Sequence, residues 1–207
     1  MSIIVHHLEN SRSQRILWLL EELGLAYSVR RYQRDPKTLL APPELKRVHP
    51  LGKSPVIEDE GRIVSESGAI CEYLVAKTGM MGPPADDAGG LRYTHFLHYA
   101  EGSLMPPLFA MLILGRVPIF GAVARKKVQA MFAPHLVWLD RELAERPWFA
   151  GDALSAADVM MSFPLEAAQS RAGLDARYPH LIAWLERIHA RPAYARALAA
   201  GGPYAYA

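Results

Sequence analysis

The sequence predicts two domains of different class, an α/β domain followed by an all-helical one. The first 80 residues alternate strand-like and helix-like segments in the order βαβαββα, and every extended segment from residue 88 onward has helical periodicity. Between them, the glycine- and proline-rich stretch from residue 79 has the composition of a linker. We therefore assign residues 1–80 to the α/β domain, 81–87 to the linker and 88–207 to the helical domain.

The elements of the first domain have recognisable boundaries. Residues 3–5 form an apolar strand, and the helical spacing that follows ends at Gly24, a typical helix terminator. Residues 27–32 alternate like a half-buried strand, and 59–61 (Asp-Glu-Gly) is a hairpin signal. The predicted strands cover 3–5, 27–32, 56–59 and 62–64, and the predicted helices cover 16–23, 44–47 and a segment from 67.

The helical domain opens with a long periodic segment that Pro106 and Pro107 should kink or interrupt. Residues 115–121 are predicted to turn the chain into a second long helix. Ser155 and Asp158 have the spacing of a capping box, in which each side chain bonds the backbone amide of the other residue. We therefore expect Asp158 to have a structural role rather than a catalytic one.

Composition and charge exclude several classes of protein. A hydrophobic fraction of 51% with 21% charged residues is that of an ordinary folded domain, and a net charge of +2 indicates no nucleic-acid partner. The single cysteine, Cys71, excludes an internal disulfide and suits a reducing compartment. The apolar run at residues 3–5 is too short for a signal peptide or a membrane span. We expect a cytoplasmic protein without a membrane partner and with Cys71 in its core.

Two short motifs indicate a site for a small peptide. Pro55 lacks an amide proton and directs Ser54 into extended geometry, so this turn offers main-chain polar groups to an extended ligand. Glu66 and Ser67 open an apolar helix whose first amides and dipole favour an anion such as a carboxylate. The alternative is that Ser67 is only a helix cap, Glu66 a first-turn acid and Lys53 a solvated charge.

These motifs resemble the glutathione site of the soluble glutathione transferases, in which a Gly-Lys-Val-Pro-Val turn precedes Glu-Ser-Gly-Ala-Ile or a close variant. The resemblance implies a thioredoxin-like first domain and glutathione as the co-substrate, without a metal. It implies that Ser54 offers its main chain to the cysteinyl unit across a cis bond to Pro55, with serine replacing the usual valine. It further implies that Glu66 and Ser67 hold the γ-glutamyl end and that Lys53 reaches the glycyl carboxylate.

The family places a thiol-activating donor where the first helix begins. In the corresponding segment of this sequence Ser11 is our first choice and Asn10, with its side-chain amide, the second, while Arg12 adds positive potential. The alternative is that Ser11 and Gln14 form a Ser-x-x-Gln capping box that starts the helix without any ligand. The group of bacterial and fungal serine-type members is the most similar, since its Ser-Arg and Trp-Leu-Leu-Glu-Glu-Leu segments occur here at 11–12 and 18–23.

A metal site at His6 and His7 is not expected. Adjacent residues of a strand point to opposite faces, and no acidic ligand completes a set.

The resemblance also implies an electrophile site in the helical domain and a homodimer. Candidate lining residues are Tyr99, Met105, Phe109 and Met111, although methionine and aromatic residues at helical spacing are more often core. The leading hypothesis is a transferase that adds the glutathione thiolate to small apolar electrophiles. Glutathione-dependent disulfide reduction or peroxidase activity needs the same thiolate, and a non-catalytic binding or regulatory protein with this fold is the remaining alternative.

Overall fold

The computed structural model of the chain describes residues 2–118 and 120–206, which form two compact units. The first unit extends to Gly82 and also includes His189–Ala205, and the second comprises Pro83–Ile188 together with Tyr206. The boundary between the two units, after Gly82, therefore falls within the predicted linker at 81–87. The C-terminal segment differs from the predicted division, because its last helix belongs to the first unit.

A four-stranded mixed sheet forms the centre of the first unit. The strands are β1 (Ile3–Leu8), β2 (Tyr27–Tyr32), β3 (Val56–Asp59) and β4 (Arg62–Ser65). Their order in the sheet is β2-β1-β3-β4, in which β1 is parallel to β2 and antiparallel to β3, and β3 and β4 form a hairpin. Hairpin formation by β3 and β4 confirms the turn signal at residues 59–61.

Two α-helices and a short 3₁₀-helix complete the predicted βαβαββα order. They are α1 (Ser13–Glu22), the 3₁₀-helix Pro43–Arg47 and α2 (Ser67–Thr78). The side chains of α1 from Ser13 to Leu20 are all buried, and Cys71 of α2 is also in the core, as expected. Burial raises the pKa of the Cys71 thiol to about 12, so this cysteine stays protonated and unreactive.

Helix α8 (Pro192–Gly201) packs against α1 within the first unit. A bidentate ion pair joins Arg191 to Glu22, with nitrogen–oxygen distances of 2.5 and 2.8 Å. At the other end of α8 the backbone approaches α1 closely, because a Cβ atom on Gly201 would lie 2.4 Å from the Oε1 atom of Gln14. These contacts explain why the last helix leaves the predicted helical domain.

The second unit is helical, as predicted. Its helices are α3 (Asp87–Tyr99), α4 (Met105–Leu114), α5 (Phe120–Glu145), α6 (Ala156–Arg171) and α7 (Pro179–His189). A π-helical segment, Ala100–Leu104, joins α3 to α4, and Pro106 and Pro107 lie in the first turn of α4, which confirms the predicted interruption. None of the helices in the described ranges 2–118 and 120–206 is long and apolar enough to cross a membrane.

The central helix of this unit, α6, begins with the predicted capping box. Asp158 accepts hydrogen bonds from the amide of Ser155 at 3.0 Å and from its hydroxyl at 2.9 Å. The other carboxylate oxygen accepts the amide of Phe149 at 2.9 Å. Asp158 is fully buried and occupied by these structural bonds, in agreement with a role in folding.

Candidate active site

The predicted site residues come from three strand ends that meet at one edge of the sheet. His6 of β1 pairs with Val56 of β3, and Val56 pairs with Ser65 of β4. The segments that follow β1 and β4 and the segment that precedes β3 therefore leave the sheet at the same edge. The fold in this way brings the proline turn next to Glu66 and Ser67, as the resemblance implied.

The proline turn is attached to the end of β1 by the side chain of Ser54. The Ser54–Pro55 peptide bond is cis, as the resemblance implied. The Ser54 hydroxyl donates to the carbonyl oxygen of His6 at 2.7 Å and accepts from the amide of Leu8 at 3.3 Å. Pro55 is buried, Ser54 is half-buried and Lys53 is exposed. A fixed turn with an accessible residue before the proline is suited to main-chain pairing with an extended peptide.

Ser11 lies between β1 and α1 and is not the N-cap residue of the helix. Helix α1 begins at Ser13, and the side chain of its N-cap residue, Arg12, makes no cap hydrogen bond. Within the described part of the chain, neither polar atom of the buried Gln14 side chain has a hydrogen-bond partner. The Ser11–Gln14 capping box is therefore wrong, because the helix starts one residue later than that pattern requires.

The Ser11 hydroxyl instead bonds to Ser13. The two hydroxyl oxygens are 2.8 Å apart, and the Ser13 amide donates to the Ser11 oxygen at 3.2 Å. Ser11 is 6% exposed, so its hydroxyl is held in a largely dehydrated position at the sheet edge. A hydroxyl with a fixed orientation can donate a hydrogen bond without reorganising when an anion approaches.

His7 is a member of this cluster that the sequence analysis missed. It is 2% exposed, and its Nδ1 atom lies 2.9 Å from the Ser13 hydroxyl. Burial and, to a smaller extent, the charge of Arg31 lower the pKa of His7 to about 4, against a weak opposing effect of Glu9. The imidazole is therefore neutral at physiological pH. Strand alternation places His7 on the face of the sheet opposite to that of His6, but its contact with Ser13 depends on the turn between β1 and α1.

His6 points to the opposite face, as strand alternation predicts. Its Nδ1 atom lies 2.8 Å from the hydroxyl of Tyr32, and its Nε2 atom lies 2.6 Å from Glu58. The two histidines thus have separate partners. Among the described residues, no group of three or more histidine, cysteine, aspartate or glutamate side chains is placed to hold a metal ion.

Asn10, the second candidate donor, occupies a left-handed backbone conformation with φ of +48°. Its side-chain oxygen accepts the backbone amide of Ala205 at 2.8 Å. That bond leaves the NH₂ end of the carboxamide as the group that can donate. Arg12 beside it is half-buried and lies at the N-terminus of α1.

Glu66 and Ser67 occupy the start of α2, but the cap differs from the expected one. The N-cap residue is Glu66, whose side chain makes no cap hydrogen bond, and Ser67 is already the first helical residue. The reading of Ser67 as an N-cap is therefore wrong. The first helical bond runs from the Ile70 amide to the Glu66 carbonyl at 2.9 Å, so the three preceding amides lie before the first helical bond.

The two residues also differ in exposure and strain. Glu66 is exposed and has φ of +71°, an uncommon conformation for a residue with a side chain, whereas Ser67 is buried. Such strain persists only where surrounding structure imposes it, and it is concentrated at functional sites.

The four candidate lining residues of the second unit do not share one accessible surface. Met105 and Met111 are buried, at 3% and 1% exposure, because their side of α4 packs in the helical core. Their prediction as lining residues is corrected by this burial. Phe109 is 52% exposed, and Tyr99 is half-buried with its hydroxyl hydrogen-bonded to Nδ1 of His135.

Comparison with known families accounts for both units. Residues 11–77 match the family model "Glutathione S-transferase, N-terminal domain", and residues 122–187 match "Glutathione S-transferase, C-terminal domain". The two matches include every candidate residue of the first unit except Asn10, which precedes the first match by one position.

Three individual proteins illustrate the similarity. Glutathione S-transferase 3 of Schizosaccharomyces pombe is 37% identical over 92% of this chain and 84% of its own length. The disulfide-bond oxidoreductase YfcG of Escherichia coli is 33% identical over 75% of this chain and 76% of its own length. The crystal structure of a glutathione S-transferase from Actinobacillus pleuropneumoniae superposes with a TM-score of 0.84 at 32% identity, covering 95% of this chain and 91% of that one.

Proposed function

Because this chain belongs to the glutathione S-transferase family, we propose that it binds glutathione at the sheet edge of its first unit and transfers the thiolate to small apolar electrophiles. The main chain of Ser54 pairs with the cysteinyl unit. Glu66 and Ser67 hold the γ-glutamyl end, where the carboxylate receives amides of the first turn of α2. Lys53, exposed beside the turn, reaches the glycyl carboxylate.

The chemistry requires that the protein lower the thiol pKa. A free thiol has a pKa of about 8.5, and lowering it by about two units corresponds to about 2.7 kcal/mol of preferential binding of the thiolate. A helix N-terminus contributes roughly 0.3–1 kcal/mol, whereas a hydrogen bond to a charged acceptor contributes roughly 1.5–3 kcal/mol. A hydroxyl or amide donor beside the sulfur is therefore necessary, and we assign this role to Ser11.

One observation carries this assignment. The amide of Leu8 donates to two hydroxyl oxygens, the Ser13 oxygen at 3.2 Å and the Ser54 oxygen at 3.3 Å. The Ser13 hydroxyl in turn contacts the Ser11 hydroxyl. The serine that would bind the cysteinyl backbone and the serine that would bind its sulfur are thus connected through one backbone amide. A cysteinyl unit paired with Ser54 needs a sulfur donor on this side of the turn.

Asn10 and Arg12 support the same role. The NH₂ group of Asn10 is the end of the carboxamide that its bond to Ala205 leaves available. Asn10 is the alternative donor to the sulfur, and Arg12 adds positive potential at the start of α1, which favours the thiolate.

The electrophile site is proposed in the second unit on the accessible residues Tyr99 and Phe109. Phe109 offers an exposed apolar ring, and Tyr99 a ring with a polar end, which together suit a small apolar molecule with one polar group. We further propose that the protein is cytoplasmic and that it is a homodimer, an assembly that sedimentation of the purified protein tests directly.

Glutathione-dependent disulfide reduction is the second candidate function. It is favoured by the similarity to the E. coli protein described as a disulfide-bond oxidoreductase. Both reactions begin with the same thiolate, so a panel of electrophiles and disulfides assayed under identical conditions distinguishes them by relative kcat/KM.

The deciding experiment is a difference ultraviolet titration of the bound thiolate against pH, for the wild type and the Ser11→Ala and Asn10→Ala variants. We expect a bound-thiol pKa below the free value, with a rise toward it in Ser11→Ala. The same rise in Asn10→Ala alone would move the donor to Asn10. Glutathione bound with an unshifted thiol would favour a non-catalytic binding protein, and absence of binding would contradict the site itself.

A further inference from the structure

A chain of three buried side chains leads from the sheet interior to the proposed thiol donor. The Nδ1 atom of His7 is 2.9 Å from the Ser13 hydroxyl, which is 2.8 Å from the Ser11 hydroxyl. Ser13 is completely buried, and His7 and Ser11 are 2% and 6% exposed. These contacts have the lengths of well-formed hydrogen bonds, and bulk water does not compete for them.

The proton on Ser13 determines the direction of this chain. A hydroxyl has one proton to donate and accepts two hydrogen bonds. The amide of Leu8 fills one accepting position of Ser13 at 3.2 Å. One accepting position and one proton remain, and the two neighbours at close distance are Ser11 and His7. The Leu8 carbonyl, at 3.3 Å, is a longer and weaker competitor for the proton.

Only one direction leaves Ser11 able to donate to a ligand. When Nδ1 of His7 carries its proton, it donates to Ser13, and Ser13 donates to Ser11. Ser11 then accepts from both the hydroxyl and the amide of Ser13, and its own proton remains for a further acceptor. In the opposite direction Ser13 donates to an unprotonated Nδ1, and the Ser11 proton is used on Ser13.

We propose that His7 is a positioning residue, which as the Nδ1–H tautomer acts through Ser13 to direct the Ser11 hydroxyl proton toward the glutathione sulfur. This inference rests on the proposed function of Ser11. A bound thiolate reinforces the arrangement, since its charge attracts the Ser11 proton and so selects the donating direction along the whole chain. No proton is transferred, and only the orientation of three hydrogen bonds is set.

The surroundings of His7 favour a neutral ring. Burial and the charge of Arg31 on the neighbouring strand β2 disfavour the imidazolium, and Glu9, at the end of β1, opposes them only in part. A neutral imidazole has one protonated nitrogen, so the choice of tautomer is a real one. On the α8 side the ring meets the backbone of Gly201, where an added Cβ would lie 3.3 Å from its Cε1 atom.

The experiment compares two substitutions of His7 by the pKa of the bound glutathione thiol. His7→Leu removes the donor, and we expect the pKa of the bound thiol to rise by about 0.5–1 unit. At a pH below the wild-type value of this pKa, the thiolate population would then be about three- to tenfold smaller. His7→Asn keeps an N–H group near the Nδ1 position and is expected to retain most of the wild-type shift. Glutathione affinity below the thiol pKa should stay within about twofold in both variants.

The matched control is His6→Leu, which removes a buried histidine from the same strand but from the opposite face of the sheet. It should leave the thiol pKa unchanged. Equal rises in His7→Leu, His7→Asn and His6→Leu would indicate a general structural effect and overturn the proposal, as would an unchanged pKa in His7→Leu. Combining His7→Leu with Ser11→Ala should add no further rise, because the relay acts only through Ser11.

Nitrogen NMR of ¹⁵N-histidine-labelled wild type with bound glutathione gives a test that needs no destabilising variant. A protonated Nδ1 on His7 supports the relay, and a protonated Nε2 with a bare Nδ1 overturns it. The two proposals fail in different ways. An unshifted bound thiol in the wild type contradicts the proposed function and with it the relay, whereas a lowered thiol pKa that is insensitive to His7→Leu contradicts the relay alone.

Discussion

The hydroxyl of Ser54 donates to the backbone carbonyl of His6 at 2.7 Å and thereby attaches the cis-prolyl turn to the end of the first strand. This bond joins residues that are 48 positions apart in the chain. Valine, the usual residue in the pattern that this turn resembles, has no hydroxyl and could not make this bond.

Replacing Ser54 with alanine should loosen the turn while its main chain remains available. A neutral hydrogen bond contributes about 0.5–1.5 kcal/mol, so we expect glutathione to bind roughly 2- to 13-fold more weakly. Isothermal titration calorimetry measures the change. Ser170→Ala is the control, because the Ser170 hydroxyl donates within its own helix turn, to the carbonyl oxygen of Ala167 at 3.0 Å. Unchanged affinity in Ser54→Ala would show that the turn is held by its backbone alone.

Glu66→Gly should increase stability and reduce glutathione binding. A residue with a side chain at positive φ costs about 1 kcal/mol or more, and glycine removes that cost, with a gain of about 0.5–2 kcal/mol in the free energy of unfolding. Urea denaturation and calorimetry measure the two effects. Glu60→Gly is a matched control, since Glu60 also has positive φ, at +50°, but lies in the β3–β4 turn. It should gain stability and keep its affinity.

Asp158→Asn should destabilise the protein, with a loss that depends on pH. The amides of Phe149 and Ser155 bond to different oxygens of Asp158, so asparagine, which has one NH₂ group and one oxygen, leaves one of these two amides without its acceptor. The loss is about 2–4 kcal/mol in the free energy of unfolding at low pH. Burial raises the pKa of Asp158 from 3.8 to about 6, although its hydrogen bonds oppose the shift.

The sign of the pH dependence follows from this raised pKa. Between about pH 4 and 6 the folded protein binds more protons at Asp158 than the unfolded chain, so the wild-type free energy of unfolding falls as pH rises. Asparagine does not titrate. The difference in the free energy of unfolding between the wild type and Asp158→Asn should therefore narrow by about 2–3 kcal/mol from pH 4 to pH 7. A difference that widens would show that hydrogen bonding outweighs burial.

Glu22→Gln should weaken the attachment of α8 to α1. Burial raises the pKa of Glu22, but hydrogen bonds from Arg191 and Trp18 and the charges of Arg191 and Arg196 outweigh it, so the net pKa is lowered. The carboxylate therefore stabilises the fold above its unfolded-state pKa, and this contribution disappears as pH falls through the lowered value. Because Arg191 is partly exposed, we expect Glu22→Gln to lower the free energy of unfolding by only about 1–2 kcal/mol at pH 7.

Denaturation at pH 7 and at pH 3 tests this expectation, since the effect of Glu22→Gln should shrink in acid. Arg196→Ala is the control, because the exposed pair of Arg196 with Glu21 resembles ordinary surface ion pairs. If Arg196→Ala lowers the free energy of unfolding as much as Glu22→Gln does, the bidentate pair of Glu22 with Arg191 has no special role.

The sequence by itself determined the elements and the ligand motifs. Periodicity gave the βαβαββα order, and the proline pair at 106–107 correctly predicted an interruption, because proline lacks the amide that a helix interior needs. The capping box at Ser155 and Asp158 was also predictable, since its partners are three residues apart and bond locally.

The tertiary structure decided what depended on distant partners. Local spacing was compatible with a capping role for Ser11 and Ser67, yet α1 begins beyond Ser11 and Glu66 takes the cap position of α2. Helix α8 belongs to the first unit, where an ion pair attaches it to α1. The two residues of that pair are 169 positions apart in the chain, so no local pattern reveals it. The contact of His7 with Ser13 likewise depends on how the chain turns after β1. Sequence patterns report interactions within a few residues, whereas burial and hydrogen-bond direction are fixed only when separate segments pack together.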